Sequence, residues 1–164
     1  MRLTSLNDLF IHQMKDLYNA EQQIMKALPE MINMVSSQQL RSALETHLQE
    51  TQGQIQRLEQ CFQLLGMNGN GEKCMAMEGI IKEAKEFMGH DADPEVMDAG
   101  IIACAQRVEH YEIAGYGTAC TYAKFLGHQE VLDLLKEILN EEKMTDEKLT
   151  TIAETAVNSR AENH

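Results

Sequence analysis

Tryptophan is absent from this chain, proline occurs twice, and aromatic residues fill only 5% of its 164 positions. With eleven methionines and many Glu, Gln, Leu and Ala beside so little proline, the composition favours an all-helical fold. Long apolar runs are missing too. None approaches the roughly 18–20 residues that span a bilayer, which argues against a membrane protein. Positive charge is scarce, with 14 Lys and Arg against 26 Asp and Glu, for a formal net charge of −12. Nucleic acid demands a basic face and is excluded as a partner on that ground. An acidic surface is compatible with attracting cations, although it is more often a solubility device. The four cysteines, Cys61, Cys74, Cys104 and Cys120, have neither CxxC nor zinc-like spacing and are read as structural thiols. The opening MRLTSLNDLF has no apolar signal region followed by a small-residue cleavage site, so a cytoplasmic protein is expected.

The length suits one domain, 1–164, able to bury about 70% of the unfolded chain's surface. Thr4 or Ser5 is placed to cap a first helix running to about Met34, with Leu17, Glu21, Ile24 and Leu28 on its inner face and a bend expected near Pro29. Ser36 or Ser37 caps a second helix, about 38–65. Its Leu44, Leu48, Thr51, Ile55, Leu58, Phe62 and Leu65 follow the alternating four–three spacing of a bundle seam. GMNGNGEK (66–73) stops that helix. A shorter amphipathic helix is expected at about 75–89. The loop GHDADPEV (89–96) then offers Asp93 as a cap and Pro94 as the first residue of a helix reaching about Leu126. Gly127 ends it, and a last helix spans about 129–157 before a polar tail, 158–164, that is expected to fray. Two antiparallel hairpins joined by a long crossover (about 66–94) carrying a short fifth helix predict an all-α, ferritin-like four-helix bundle.

The most apolar stretch, IIACAQRVEHYEIAGYGTACTYA (101–123), contains Glu109 and Glu112 on one face with Ile102, Ala105, Tyr116, Ala119 and Ala123. An ionised carboxylate out of water must be paired, hydrogen-bonded, protonated or bound to a metal. The first helix adds Glu21, and the last adds Glu142 and Asp146. Glu50 falls beside the leucine seam, on a neighbouring face with Ala43, His47, Gln54 and Cys61. Glu21 and Glu50 stand 29 residues apart and Glu112 and Glu142 stand 30 apart, so each hairpin carries two acids at comparable places. Carboxylates converging inside a bundle repel one another strongly. Two divalent ions cancel most of that charge, and hard oxygen ligands suit iron or manganese. Tyr18, Tyr111 and Tyr116 are candidate hydrogen-bond donors behind such ligands. Taken singly, Glu142 in NEEKMTDEK also fits a solvated charged face, Glu21 a snorkelling surface acid and His47 a structural histidine. Glu109 with Glu112 is harder to dismiss, because no lysine shares their stripe.

The strings DLYNAEQQI (16–24), HLQETQGQIQRLEQ (47–60), CMAMEGII (74–81), VEHYEIAGYG (108–117) and NEEKMTDEKL (140–149) resemble the YciF-like bacterial stress-protein family of the ferritin-like, rubrerythrin-related superfamily. The resemblance runs along almost the whole chain. It implies a cytoplasmic, homodimeric protein linked to bacterial stress responses, with metal ions as partners. The superfamily binds two metals through a Glu in helices one and three and a Glu-x-x-His in helices two and four. Carried over, the matching acids are Glu21, Glu50, Glu109 or Glu112, and Glu142. The histidines have no counterpart: Gly53 and Thr145 stand at their places, followed by Gln54 and Asp146, while His47 precedes Glu50 by three residues. The expectation is a carboxylate-rich site for two iron or manganese ions. Glu21, Glu50, Glu112 and Glu142 are its principal ligands, and Glu109, Gln54, Asp146 and His47 are candidates to complete it. The activity expected of such a site is oxidase-like or peroxide-handling; the alternative is a non-catalytic stress protein whose acids form a structural polar network.

Overall fold

A computed structural model of the chain describes residues 2–163, and among these residues there is no strand. Ser5 starts the first helix, α1 (Leu6–Met34), by a reciprocal cap. Its Oγ accepts from the Asp8 N–H at 3.1 Å while the Asp8 carboxylate accepts from the Ser5 N–H at 3.0 Å. Although Pro29 removes one donor from the ladder, α1 runs on past it to Met34. Ser37 caps α2 (Gln38–Leu64), and the glycine-rich segment after it leads to α3 (Met75–Met88). Pro94 opens α4 (Pro94–Leu126), which stops at Gly127 in the left-handed conformation (φ 76°), and α5 (Gln129–Ile152) follows at once.

The four long helices form the ferritin-like bundle. Each touches two neighbours: α1 lies against α2 and α4, and α5 lies against α2 and α4. The crossover helix α3 packs outside, on α1 and α4. Close approach there depends on Gly100, where a Cβ would sit 1.8 Å from the Phe87 ring. No helix is long and apolar enough to cross a membrane among the described residues.

The polar tail differs from expectation. After α5 the backbone makes a π-turn (Ala153–Val157) and then a last helix, α6 (Asn158–Glu162); His164 lies outside the described residues. The wider turn returns a residue five positions on to the same face. Val157 thereby joins Leu149 and Ile152 in the core.

The core is divided in two. One apolar cluster runs from Ala20 along α1 and includes Leu44, Val108 and Leu149; the other holds Phe10 to Leu17 with Leu58, Tyr116 and Ile138. Burying each large apolar side chain in these layers contributes about 1.5–3 kcal/mol. Between them every long helix contributes buried polar side chains: Glu21, His47, Thr51, Gln54, Glu109, Glu112, Glu142 and Thr145. At one end of the bundle another buried acid, Asp98 of α4, accepts from Ser36 N (2.8 Å), Ser36 Oγ (2.7 Å) and Ser37 N (2.8 Å) at the turn between α1 and α2.

Candidate metal centre

Apolar residues on both sides of the polar layer fix its height, since the helices must bury both clusters at once. Glu21 stands between Leu17 and Ile24 on α1, and Glu142 between Ile138 and Leu149 on α5. Glu109 and Glu112, one turn apart on α4, face the same interior. All four glutamates are fully buried.

Two donor groups result. His47, Glu109 and Glu142 each offer one atom within 4.8 Å of the others, and so do Glu21, Glu112 and Glu142. Glu142 belongs to both. Across the bundle, His47 Nε2 lies 2.9 Å from Glu109 Oε1, and Tyr116 donates to Glu21 Oε1 at 2.6 Å. No amide, hydroxyl or ammonium donor reaches either oxygen of Glu112 or Glu142 among the described residues. The side-chain amide of Gln54 is equally buried, and neither its oxygen nor its nitrogen has a partner there.

The electrostatic consequence is a set of acids whose proton affinity is raised. Burial pushes Glu21 up to about 7, with the Glu142 charge adding to it and contacts from Glu112 and Tyr116 opposing it. Burial raises Glu109 to about 8, with a contact from Glu142 opposing the rise and the charge of Glu21 adding to it. Glu112 and Glu142 are raised well above the carboxylate range, first by burial and then by the neighbouring acids, partly offset at Glu142 by His47. A metal-free carboxylate cluster meets its desolvation by binding protons. Divalent cations satisfy the same oxygens without that constraint. Buried carboxylates with one imidazole form a donor set that fits iron or manganese.

From α2 the structure brings in His47 rather than Glu50. Glu50 sits about 60° further round the helix at 100° per residue. It is half-buried, and its Oε2 accepts from Thr145 Oγ1 at 3.0 Å. Asp146 also lies outside both groups, half-buried, 3.3 Å from Gln106 Nε2 and 3.2 Å from His110 Nε2. Of the three tyrosines only Tyr116 reaches a carboxylate of the cluster. Tyr18 donates to Glu59 at 3.0 Å and packs on Phe62. Tyr111 donates to Asp16 beside the buried Cys74 thiol. Thr145 as the partner of Glu50 has no signal in the sequence beyond lying three residues after Glu142.

The chain is similar to known proteins along almost its whole length. A family model described as Domain of unknown function (DUF892) matches residues 5–162. Protein YciF of Escherichia coli (strain K12) is 46% identical over 164 residues, covering 99% of each chain. The crystal structure of the E. coli stress protein YciF superposes with a TM-score of 0.91 at 45% identity, over 95% of this chain and 99% of that one. YcfI from Rhodopseudomonas palustris gives a TM-score of 0.89 at 49% identity, over 92% and 96%. A Xanthomonas campestris protein at 21% identity and a TM-score of 0.76 shares the fold.

Proposed function

The chain belongs to the YciF-like family described as Domain of unknown function (DUF892), and from that premise we propose a stress-associated protein whose core binds two iron or manganese ions. The observation that carries this reading is Glu142, one buried carboxylate shared by two three-residue donor groups. His47, Glu109 and Glu142 would hold one ion, and Glu21, Glu112 and Glu142 the other. The buried Gln54 amide offers a neutral oxygen to complete the set, with Glu50 and Asp146 at its edge. Four carboxylates balance the charge of two divalent ions. Ferrous iron, when bound, supplies one electron per ion, the two that with two protons reduce dioxygen to hydrogen peroxide, or hydrogen peroxide to water. The protein's own contribution is placement. Tyr116 fixes Glu21, His47 is fixed against Glu109, and the apolar layers on either side keep bulk water from the carboxylates. The reading retains the cytoplasmic homodimer that the resemblance implies.

Protein isolated without chelators should bind about two metal ions per chain, and Glu112→Ala should abolish binding at its group. Absence of tight iron or manganese binding in calorimetry and metal analysis would sink the reading. The contacts among the acids favour a second one, a non-catalytic stress protein whose protonated carboxyls form a polar network with Tyr116. In that case Glu112→Leu stabilises the protein by about 1–4 kcal/mol, and added metal leaves the melting temperature of the parent protein unchanged.

A further inference from the structure

On the crossover side of the bundle, α1, α3 and α4 enclose a cavity that ends on His47 of α2. Ile24, Leu28, Met31, Ala105 and Val108 form its buried inner wall, and Ala27, Ile81 and Lys85 its more exposed rim. Ile24 follows Glu21 by three residues and Ala105 precedes Glu109 by four, so the cavity lies one helical turn from the carboxylates. It leaves about 20 Å3 for the centre of a water-sized molecule. About 10–15 Å3 suffices to hold one water, so the space suits a single small molecule and not an organic substrate.

Its lining selects further. A buried water, or a hydrogen peroxide molecule with the same needs, takes two to four polar partners. The inner wall supplies a single polar side chain, His47, whose Nδ1 has no hydrogen-bond partner among the described residues. Lys85 stands at the rim with its ammonium 3.7 Å from Glu30. An apolar diatomic molecule forfeits no hydrogen bonds on entering such a space, whereas peroxide does. We propose that this cavity is the route and resting place by which dioxygen, rather than hydrogen peroxide, reaches the His47–Glu109–Glu142 group. The destination rests on the metal reading above; the cavity can be tested without metal.

The test is nuclear magnetic resonance of the methyl-labelled, full-length, metal-free protein under dioxygen pressure. Paramagnetic dioxygen should broaden the methyl signals of Ile24, Leu28 and Val108 more than those of Ile11, Val131 and Leu132, which are buried to a similar degree in the other apolar cluster. Ala84 also lines the cavity, from α3. Ala84→Leu should fill the space and remove the difference, with Ala84→Val as the smaller replacement where the leucine is not accommodated. In ferrous-loaded protein the filled variant should be oxidised by dioxygen about tenfold more slowly and by hydrogen peroxide at the parent rate. Equal broadening in both clusters, or equal slowing with both oxidants, overturns the proposal even in a protein that binds metal. Selective broadening in a protein that binds no metal instead overturns the metal reading, and the route loses its destination with it.

Discussion

His47 Nε2 and Glu109 Oε1 meet at 2.9 Å across the bundle, joining α2 to α4 inside the buried polar layer. The contact belongs to one donor group only, whereas Glu142 belongs to both. His47→Ala should therefore lose about one of two bound ions and Glu142→Ala both. Calorimetry with Mn(II) and metal analysis read the stoichiometry. Full occupancy in His47→Ala would show that imidazole is not a ligand.

The raised proton affinities of the acids set a pH dependence. An unfolded glutamate titrates near about 4.3, while in the folded, metal-free protein Glu21 and Glu109 titrate at about 7 and about 8. Between these values the folded state holds more protons than the unfolded one, so stability falls as pH rises. It is fully present below the unfolded value and lost through the folded ones. Thermal melts in chelator should give a lower melting temperature at about pH 8 than at about pH 5. With saturating Mn(II) the metal competes with protons, and its stabilisation should grow with pH. A chelated protein whose melting temperature rises over this range would contradict the assignment.

Tyr116→Phe removes the hydroxyl that donates to Glu21. Loss of that 2.6 Å hydrogen bond should cost about 1 kcal/mol in the metal-free protein. It should also weaken metal binding by about 10–100-fold, as for other hydrogen-bond partners of ligands. An unchanged dissociation constant would mean that Glu21 needs no orienting.

Gly100→Ala tests the docking of the crossover helix. Its methyl group would overlap the Phe87 ring, and relieving that overlap should cost about 1–3 kcal/mol. Gly79→Ala, on the exposed face of α3 with nothing within 4 Å, should instead gain up to about 1 kcal/mol from helix propensity. Denaturant melts of the two variants should move in opposite directions.

Most of the helical architecture was legible because its signals are local. The caps at Ser5 and Ser37, Pro94 at the start of α4 and Gly127 at its end each act within a turn of where they stand. Glu109 and Glu112 stood out because their stripe is otherwise apolar. The α2 contribution was harder to see. A helix with two neighbours buries a wide arc, so the leucine spacing alone does not tell His47 and Gln54, which lie inside, from Glu50 at the edge. The continuation past Val157 was hidden for a different reason. A π-turn breaks the 3.6-residue period by which a buried residue is recognised.

Asp98 takes three hydrogen bonds from the turn at Ser36 and Ser37, far along the bundle from the carboxylate layer. Sliding one hairpin along the other by a single turn, about 5.4 Å, would break all three and take these donors away from a buried carboxyl group. Apolar layers alone tolerate such slippage far better, because one leucine replaces another. Asp98 thus serves as an index mark between the hairpins. The alignment of Glu21 and His47 with Glu109, Glu112 and Glu142 is set from the end of the molecule as well as from its middle.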